Sequence, residues 1–193
     1  MSHKVEGRPR DASISRALVR AAERRMESDG FSKLTVDGIV SEVGTTRQTF
    51  YRRYKNVSVL ALEVLLYRFG GQEAVDTGRL ESDLLELQRG DVAMMTSPLV
   101  QKNLPGLFED IRVVPEVREI YLDRMIRPRR NNVRDVLVRA LDRGELTNVE
   151  VDSEYICDLL FGPLLARVLL PTGLPLDDRL ARQTVTTVLR EML

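Results

Sequence analysis

An all-α fold in two parts is what this sequence predicts, and three observations carry the prediction. Apolar residues recur at spacings of three and four along most of the 193 residues, the period of an amphipathic helix. No segment alternates apolar and polar residues for long enough to suggest a strand. Residues 30–56, GFSKLTVDGIVSEVGTTRQTFYRRYKN, hold two short helix patterns that meet at Gly44. The second carries Thr, Gln, Tyr and Arg where an ordinary surface helix carries Glu and Lys. That is how a helix-turn-helix reads when its second helix enters a DNA major groove.

The elements follow in order. Residues 1–10 are polar and basic and read as a mobile arm, with Arg8, Arg10 and the nearby Arg16 as candidates for phosphate contact. Ile14, Ala17, Leu18, Ala21, Ala22 and Met26 form the apolar stripe of a first helix, ended by Asp29-Gly30, with Phe31 available to cover the core. Along another side run Arg16, Arg20 and Arg24, the last expected to pair with Glu23 and Glu27 on a solvated face. Thr35 is an N-cap for a second helix with the stripe Val36, Ile39, Val40 and Val43. Gly38 stands where an acidic residue would close a capping box, at a cost of about 1 kcal/mol in helix propensity, so this helix is expected to be less rigid. Gly44 tolerates the positive φ of a sharp exit, and Thr46 caps the next helix.

In that third helix Phe50 and Tyr54 point toward the core. At about 100° per residue, Gln48 and Arg52 lie almost opposite Phe50, flanked by Thr49 and Tyr51, with Arg47 at the helix start. This outward face is hydrogen-bonding and cationic and carries no carboxylate of its own, as a polyanion requires. Spacing alone would suit a plain helical hairpin. Charge placement separates the two readings: residues 1–55 carry 12 basic against 7 acidic side chains, a charge of +5, while the remainder carries 17 against 22, a charge of −5. A zero net charge thus conceals a basic head on an acidic body, an asymmetry that suggests nucleic-acid contact.

Asn56 is an N-cap for a fourth helix that is apolar nearly all round, from Leu60 to Phe69, and is therefore expected to be buried on several sides. Gly70-Gly71 ends it. Further helices are expected from about Arg79 to Thr96 and from about Leu99 to Arg112. A long one follows from Pro115 to Gly144, bent at Pro128; another runs from Asp152 or Ser153 to about Leu170, bent at Pro163. The last covers Leu176 to Leu193. The final two carry long apolar stripes, which either fold against the chain's own body or meet a second copy.

The motifs Asp29-Gly30-Phe31, Leu34-Thr35-Val36, Ile39, Gly44 and Thr49-Phe50-Tyr51-Arg52-Arg53-Tyr54 resemble the N-terminal domain of TetR-family transcriptional regulators. Pro128-Arg129-Arg130, Arg143-Gly144-Glu145-Leu146 and the stretch Asp158 to Leu165 resemble the C-terminal domain of one branch of that family. The resemblance implies a helix-turn-helix DNA-binding domain over 1–56 and a helical effector-binding and dimerisation domain over 57–193. It also implies a homodimer with a small-molecule pocket controlling affinity for an operator. Thr35, Thr46, Arg47, Gln48, Thr49, Tyr51, Arg53 and Lys55 match positions that usually touch DNA, and Arg52 joins them from the helix geometry. Effector contacts are expected on the central helices, at Met94, Met95, Leu107, Phe108, Tyr121, Met125 and Phe161, where adaptable Met and aromatic side chains cluster. The dimer is expected to form through Leu159, Leu160, Leu164 and Val168 with Val185, Val188, Leu189 and Met192. One departure is Val57, where relatives usually carry Lys for a phosphate contact; Lys55 stands nearby.

Other function classes find little support. The single histidine, His3, lies in the arm, so no His-based triad or multi-His metal site can be built, and no phosphate-binding glycine loop is present. Glu109-Asp110 and Asp177-Asp178 read as helix-start or surface charges. One cysteine, Cys157, excludes an intrachain disulfide and reads as a small buried hydrophobe. The longest apolar run, Leu159 to Ala166, is far short of the ~20 residues that span a bilayer. The expectation is a cytoplasmic, ligand-responsive regulator without catalytic residues, metal or cofactor. It would be a repressor that binds a palindromic DNA operator as a homodimer and is released by a small hydrophobic effector. The alternative is a helical ligand-binding or scaffold protein that no longer reads DNA.

Overall fold

The structure is a computed structural model that describes residues 8–71, 74–146, 151–170 and 172–192. Among them there is no strand. The expected arm divides: residues 1–7 lie outside the described residues, as does His3, and Arg8 already opens the first helix, α1 (Arg8–Ser28). The side chains of Arg8 and Arg10 also lie outside the described residues.

A short 3-10 turn, Phe31–Lys33, leads to α2 (Val36–Val43) and α3 (Arg47–Tyr51). Next come α4 (Val57–Phe69), α5 (Leu80–Thr96) and α6 (Pro98–Val113). Leu60, Ala61, Leu62, Val64 and Leu65 of α4 are buried, as expected for a helix packed on several sides, and α4 touches α1, α6 and the segment after it.

The long helix expected over 115–144 is interrupted. It comprises α7 (Pro115–Tyr121), a π-helical turn (Leu122–Ile126) and α8 (Arg127–Asp142). Pro128 has no N–H to donate, and its ring would crowd the carbonyl four residues back in a continuous α-helix. The wider turn immediately before it accommodates the ring, and such turns often sit at functional sites. The last two helices are α9 (Ser153–Leu169), capped by Asp152 and continuous through Pro163, and α10 (Asp178–Met192).

Arg143-Gly144-Glu145-Leu146 acquires a physical role. Gly144 takes a φ of 72°, the left-handed exit from α8. Glu145 accepts from the Leu80 backbone N–H at 2.8 Å, capping α5, whose own N-cap Arg79 provides no side-chain bond. Arg143 reaches the fully buried Asp83 at 3.3 Å, and Leu146 fills the core.

Two apolar cores result. One joins α1–α4 to α6, α7 and the C-terminal end of α9; the other lies among α5, α8, α10 and the N-terminal end of α9. The head is thus packed on the body through a continuous apolar contact.

Candidate nucleic-acid interface and effector cavity

The head is built by caps that act locally. Thr35 Oγ1 accepts from the Gly38 N–H at 3.2 Å, and Thr46 Oγ1 accepts from the Thr49 N–H at 3.2 Å. Gly44, at φ 68°, joins the two helices in the conformation that favours glycine. Phe50 is fully buried, with Tyr51 and Tyr54 at centroid distances of 5.4 and 5.9 Å. Although α3 is only five residues long, the Tyr54 N–H still bonds the Phe50 carbonyl at 2.9 Å, so both rings keep their places.

This leaves Thr46, Arg47, Gln48, Tyr51 and Arg52 exposed on one side, with Thr35 and Lys55 exposed nearby and Thr49 half-buried. Arg53 instead straps α3 to α1, its Nε donating to Ser15 Oγ at 3.2 Å and its Nη1 to the Thr49 carbonyl at 3.0 Å.

The face has carboxylate neighbours that the sequence pattern did not reveal. Arg47 is paired with Asp37 of α2, which holds the Asp37 carboxyl below its ordinary value. Lys55 is paired with Glu116 of α7 at 2.7 Å. Both pairs are solvent-exposed, in a class worth ~0–1 kcal/mol, so either cation can exchange its carboxylate for a phosphate at small cost. Arg24 pairs with Glu42 of α2 at 2.7 Å, not with Glu23 or Glu27, and Arg25 shares the same carboxylate at 2.7 Å. Gly38 makes room for this arrangement, since a Cβ there would stand 2.7 Å from an Arg25 guanidinium nitrogen.

Body and head are joined by polar contacts as well. Lys102 of α6 donates to the carbonyls of Glu27 at 2.9 Å and Ser28 at 2.5 Å, and Asn103 donates to that of Met26 at 3.1 Å, so α6 caps the end of α1. Asp110 is not a plain surface charge, for it accepts from the buried Ser58 hydroxyl of α4. Asp177 does act at a helix start, accepting from the Leu180 N–H at 3.0 Å.

A cavity of about 180 Å³ lies where α4 ends, between α5, α6, the π turn, α8 and α9. Met94, Met95, Tyr121, Met125 and Phe161 line it, together with Leu65, Leu66, Phe69, Val100 and Leu104. Leu107 and Phe108 do not. The cavity meets α6 only in its first half; Leu107 is fully buried in the core, and Phe108 stacks edge-on to the back of Tyr121 at 6.2 Å.

The sequence reading missed the polar feature of this cavity. Arg129 sends both Nε, at 2.8 Å, and an Nη, at 2.6 Å, to the same Asp91 oxygen, Oδ2. Its guanidinium also lies 4.4 Å from the centre of the Phe161 ring. Asp91 is 3 % exposed, and burial pushes its carboxyl up while Arg129 pulls it back. The only available signal was Arg129 within the Pro128-Arg129-Arg130 motif; nothing near Asp91 marked it. A second cavity, of about 280 Å³, lies behind Tyr121, Arg129 and Phe161 and is bounded by Arg130, Cys157, Asp158 and Gly162. Cys157 is buried and its thiol is pushed up by desolvation, consistent with a small core residue.

The residues expected at a dimer interface require correction. Leu160, Leu164, Val168, Val185, Val188 and Met192 are buried within the protomer itself, where α10 packs on α5 and α9. Both stripes are apolar, but this chain's own helices cover them: α5 and α8 pack on Leu160, Val185, Val188 and Met192, whereas Leu164 and Val168 belong to the first core with α6. Only Leu159 and Leu189 of that set are partly exposed. The opposite side of α9 presents Tyr155, Leu159, Gly162, Ala166 and Leu170, and the outer side of α10 presents Arg182, Gln183, Thr186 and Thr187.

Comparison with known proteins matches two family profiles. Residues 18–64 match that of bacterial regulatory proteins of the tetR family, and residues 74–188 match a tetracyclin repressor-like C-terminal domain. The chain is 29% identical over 182 residues to the HTH-type transcriptional regulator YdeS of Bacillus subtilis, covering 93% of this chain and 89% of the relative. It is 30% identical over 187 residues to the DNA-binding transcriptional repressor TetR of Mycobacteroides abscessus, covering 93% and 94%. The crystal structure of the TetR-family regulator SCO0332 superposes with a TM-score of 0.72 at 23% identity, over 94% of this chain and 99% of that one.

Proposed function

The chain belongs to the TetR family of transcriptional regulators, and from that premise we propose that it is a cytoplasmic repressor that binds a palindromic operator as a homodimer and leaves it when a small hydrophobic molecule fills the cavity beside α4. The observation that carries this reading is the placement of α4. Its N-terminal end follows directly on Lys55 and the segment leading from α3, and its C-terminal residues Leu65, Leu66 and Phe69 line the cavity. One rigid element therefore touches both candidate sites. Repression is supported by the name of the Mycobacteroides relative. No helix among the described residues is long and apolar enough to cross a membrane.

In this reading Thr35, Thr46, Arg47, Gln48, Thr49, Tyr51, Arg52 and Lys55 meet DNA, Gln48 at a base edge and Lys55 at a phosphate, while Arg53 holds α3 in position. A two-fold reader needs recognition-helix centres about 34–36 Å apart or a multiple of that. The outward stripe of α9, Tyr155, Leu159, Gly162, Ala166 and Leu170, with the Thr and Gln positions of α10, is the surface proposed to meet the second copy. Gly162 and Ala166 allow close approach of two helices there. A stable interface buries on the order of 1,200–2,000 Å² in total.

The test is a mobility-shift titration on fragments selected from the host genome, repeated across salt concentrations. Gln48→Ala is expected to relax preference at one position of each half-site by ~1–3 kcal/mol. Lys55→Ala should weaken all sequences alike and flatten the salt slope. Identical changes in the two variants, or no change in either, would refute the roles. Absence of any sequence-preferring binding by the parent protein would leave only a helical ligand-binding protein.

Release by an effector needs modest energy, since each tenfold loss of operator affinity corresponds to about 1.4 kcal/mol of coupling. Phe161→Ala and Met125→Ala are expected to blunt release by hydrophobic compounds while leaving ligand-free operator binding intact. Loss of ligand-free binding in these variants would instead mark both residues as plain core.

A further inference from the structure

The cavity beside α4 holds an ion pair that is already complete. Asp91 and Arg129 neutralise each other, and Arg124 at the cavity rim is matched by Glu63 at 2.6 Å. An anion entering the cavity would have to face Asp91 or draw Arg129 away from it. A cation would have to face Arg129. Either outcome leaves a buried charge without its counter-ion, which is strongly unfavourable.

What the cavity does have to spare is hydrogen-bonding capacity. Both Arg129 donors converge on Asp91 Oδ2, and among the described residues no donor reaches Oδ1. The Tyr121 hydroxyl, on the same cavity wall, likewise forms no hydrogen bond among the described residues. Burial pushes Tyr121 up to about 12, so its hydroxyl keeps its proton and can donate. Asp91 and Tyr121 both line the cavity together with Leu66, Met95 and Met125, so a carboxylate oxygen and a phenolic O–H are available there to accept from and donate to a small polar group.

We propose that this cavity selects an uncharged, largely apolar molecule bearing one O–H or N–H group, which donates to Asp91 Oδ1 and whose heteroatom accepts from the Tyr121 hydroxyl. The selection rests on the reading of the cavity as an effector site and adds the chemical class of the effector. The charge-neutral pair acts as the specificity device: it rewards a donor through the spare carboxylate oxygen and rejects ions through the partner each would displace. A hydrogen bond to a charged group is stronger than one between neutral groups, so a missing donor costs more here than the lost contact area.

Four probes of one shape test the idea by calorimetry at pH 7 on the full chain without DNA: 4-butylphenol, butylbenzene, 4-butylbenzoate and 4-butylbenzylammonium. The phenol is expected to bind at least tenfold more tightly than each of the other three. Asp91→Leu combined with Arg129→Met removes the polar anchor while keeping the space filled, and should bind the phenol and butylbenzene within threefold of each other. Tyr121→Phe should weaken the phenol and leave butylbenzene unchanged. The proposal is overturned if the benzoate or the ammonium binds as tightly as the phenol, if butylbenzene matches the phenol on the parent protein, or if the phenol does not bind. Binding of the phenol without release of DNA would overturn the regulatory reading and leave this one standing. Release of DNA by a charged compound seated in the cavity would do the reverse.

Discussion

Replacing Leu164 and Val188 together with Glu is expected to abolish the folded protomer, whereas Leu159→Glu with Ala166→Glu is expected to yield a folded monomer. The two pairs look equivalent as apolar positions on the last two helices, but their surroundings differ. Leu164 and Val188 are both 0 % exposed, in the two cores that α9 and α10 share with the rest of the body. A carboxylate in either of these apolar places loses its hydration, a penalty on the order of 4 kcal/mol or more per site. Two such penalties consume most of the 5–15 kcal/mol that stabilises an ordinary domain. Ala166 is exposed and Leu159 only half-buried at the margin of the second core, so charge there still reaches water in a lone protomer and meets another charge only across a two-fold axis. Circular dichroism and sedimentation velocity on both double variants check this. A helical, soluble Leu164/Val188 variant would mean that the cores are not packed as described. A Leu159/Ala166 variant that still sediments as a dimer would move the interface to another face.

Arg129→Ala is expected to cost ~3–5 kcal/mol, because it leaves Asp91 buried without its counter-ion. At ~2–4 °C per kcal/mol for a chain of this size, the melting temperature should fall by roughly 6–20 °C. Some of the loss comes from the Phe161 ring, which gives up a cation 4.4 Å from its centre. Asp91→Leu with Arg129→Met is expected to recover most of the stability, since apolar residues of similar volume can replace a buried pair at little net cost. Thermal melts of the single and double variants decide the matter. If the double variant melted no higher than Arg129→Ala, the two residues would not be acting as a coupled pair.

Much of the head was legible because its determinants are local. Thr35, Thr46 and Asn56 cap the helices that follow them, each by accepting from a backbone N–H three residues ahead. The left-handed turn at Gly44 and the inward placement of Phe50 likewise follow from a few consecutive residues. Met94, Met95, Tyr121, Met125 and Phe161 come to one cavity from four different elements, and the residues of α4 and α6 that complete its apolar wall had no local signal.

Most of the departures concern partners distant in sequence. Asp91 and Arg129 are 38 positions apart, and Lys102 reaches a carbonyl 75 positions away; neither pairing has a periodic signature. Gly38, read as a missing cap partner, is also the space into which Arg25 fits. The bend expected at Pro128 became a π turn because the chain relieves the proline upstream, where the turn also shapes the cavity.

The stripes of α9 and α10 show the division most clearly. Hydrophobic period tells which residues of a helix share a face, because geometry within one helix fixes their directions. It cannot tell what covers that face, because burial is decided by whichever apolar surface the folded chain brings alongside. Here α5, α6 and α8 lie alongside, so Leu160, Leu164, Val185 and Val188 are buried inside one protomer, and the shallower stripe from Tyr155 to Leu170 is left outside.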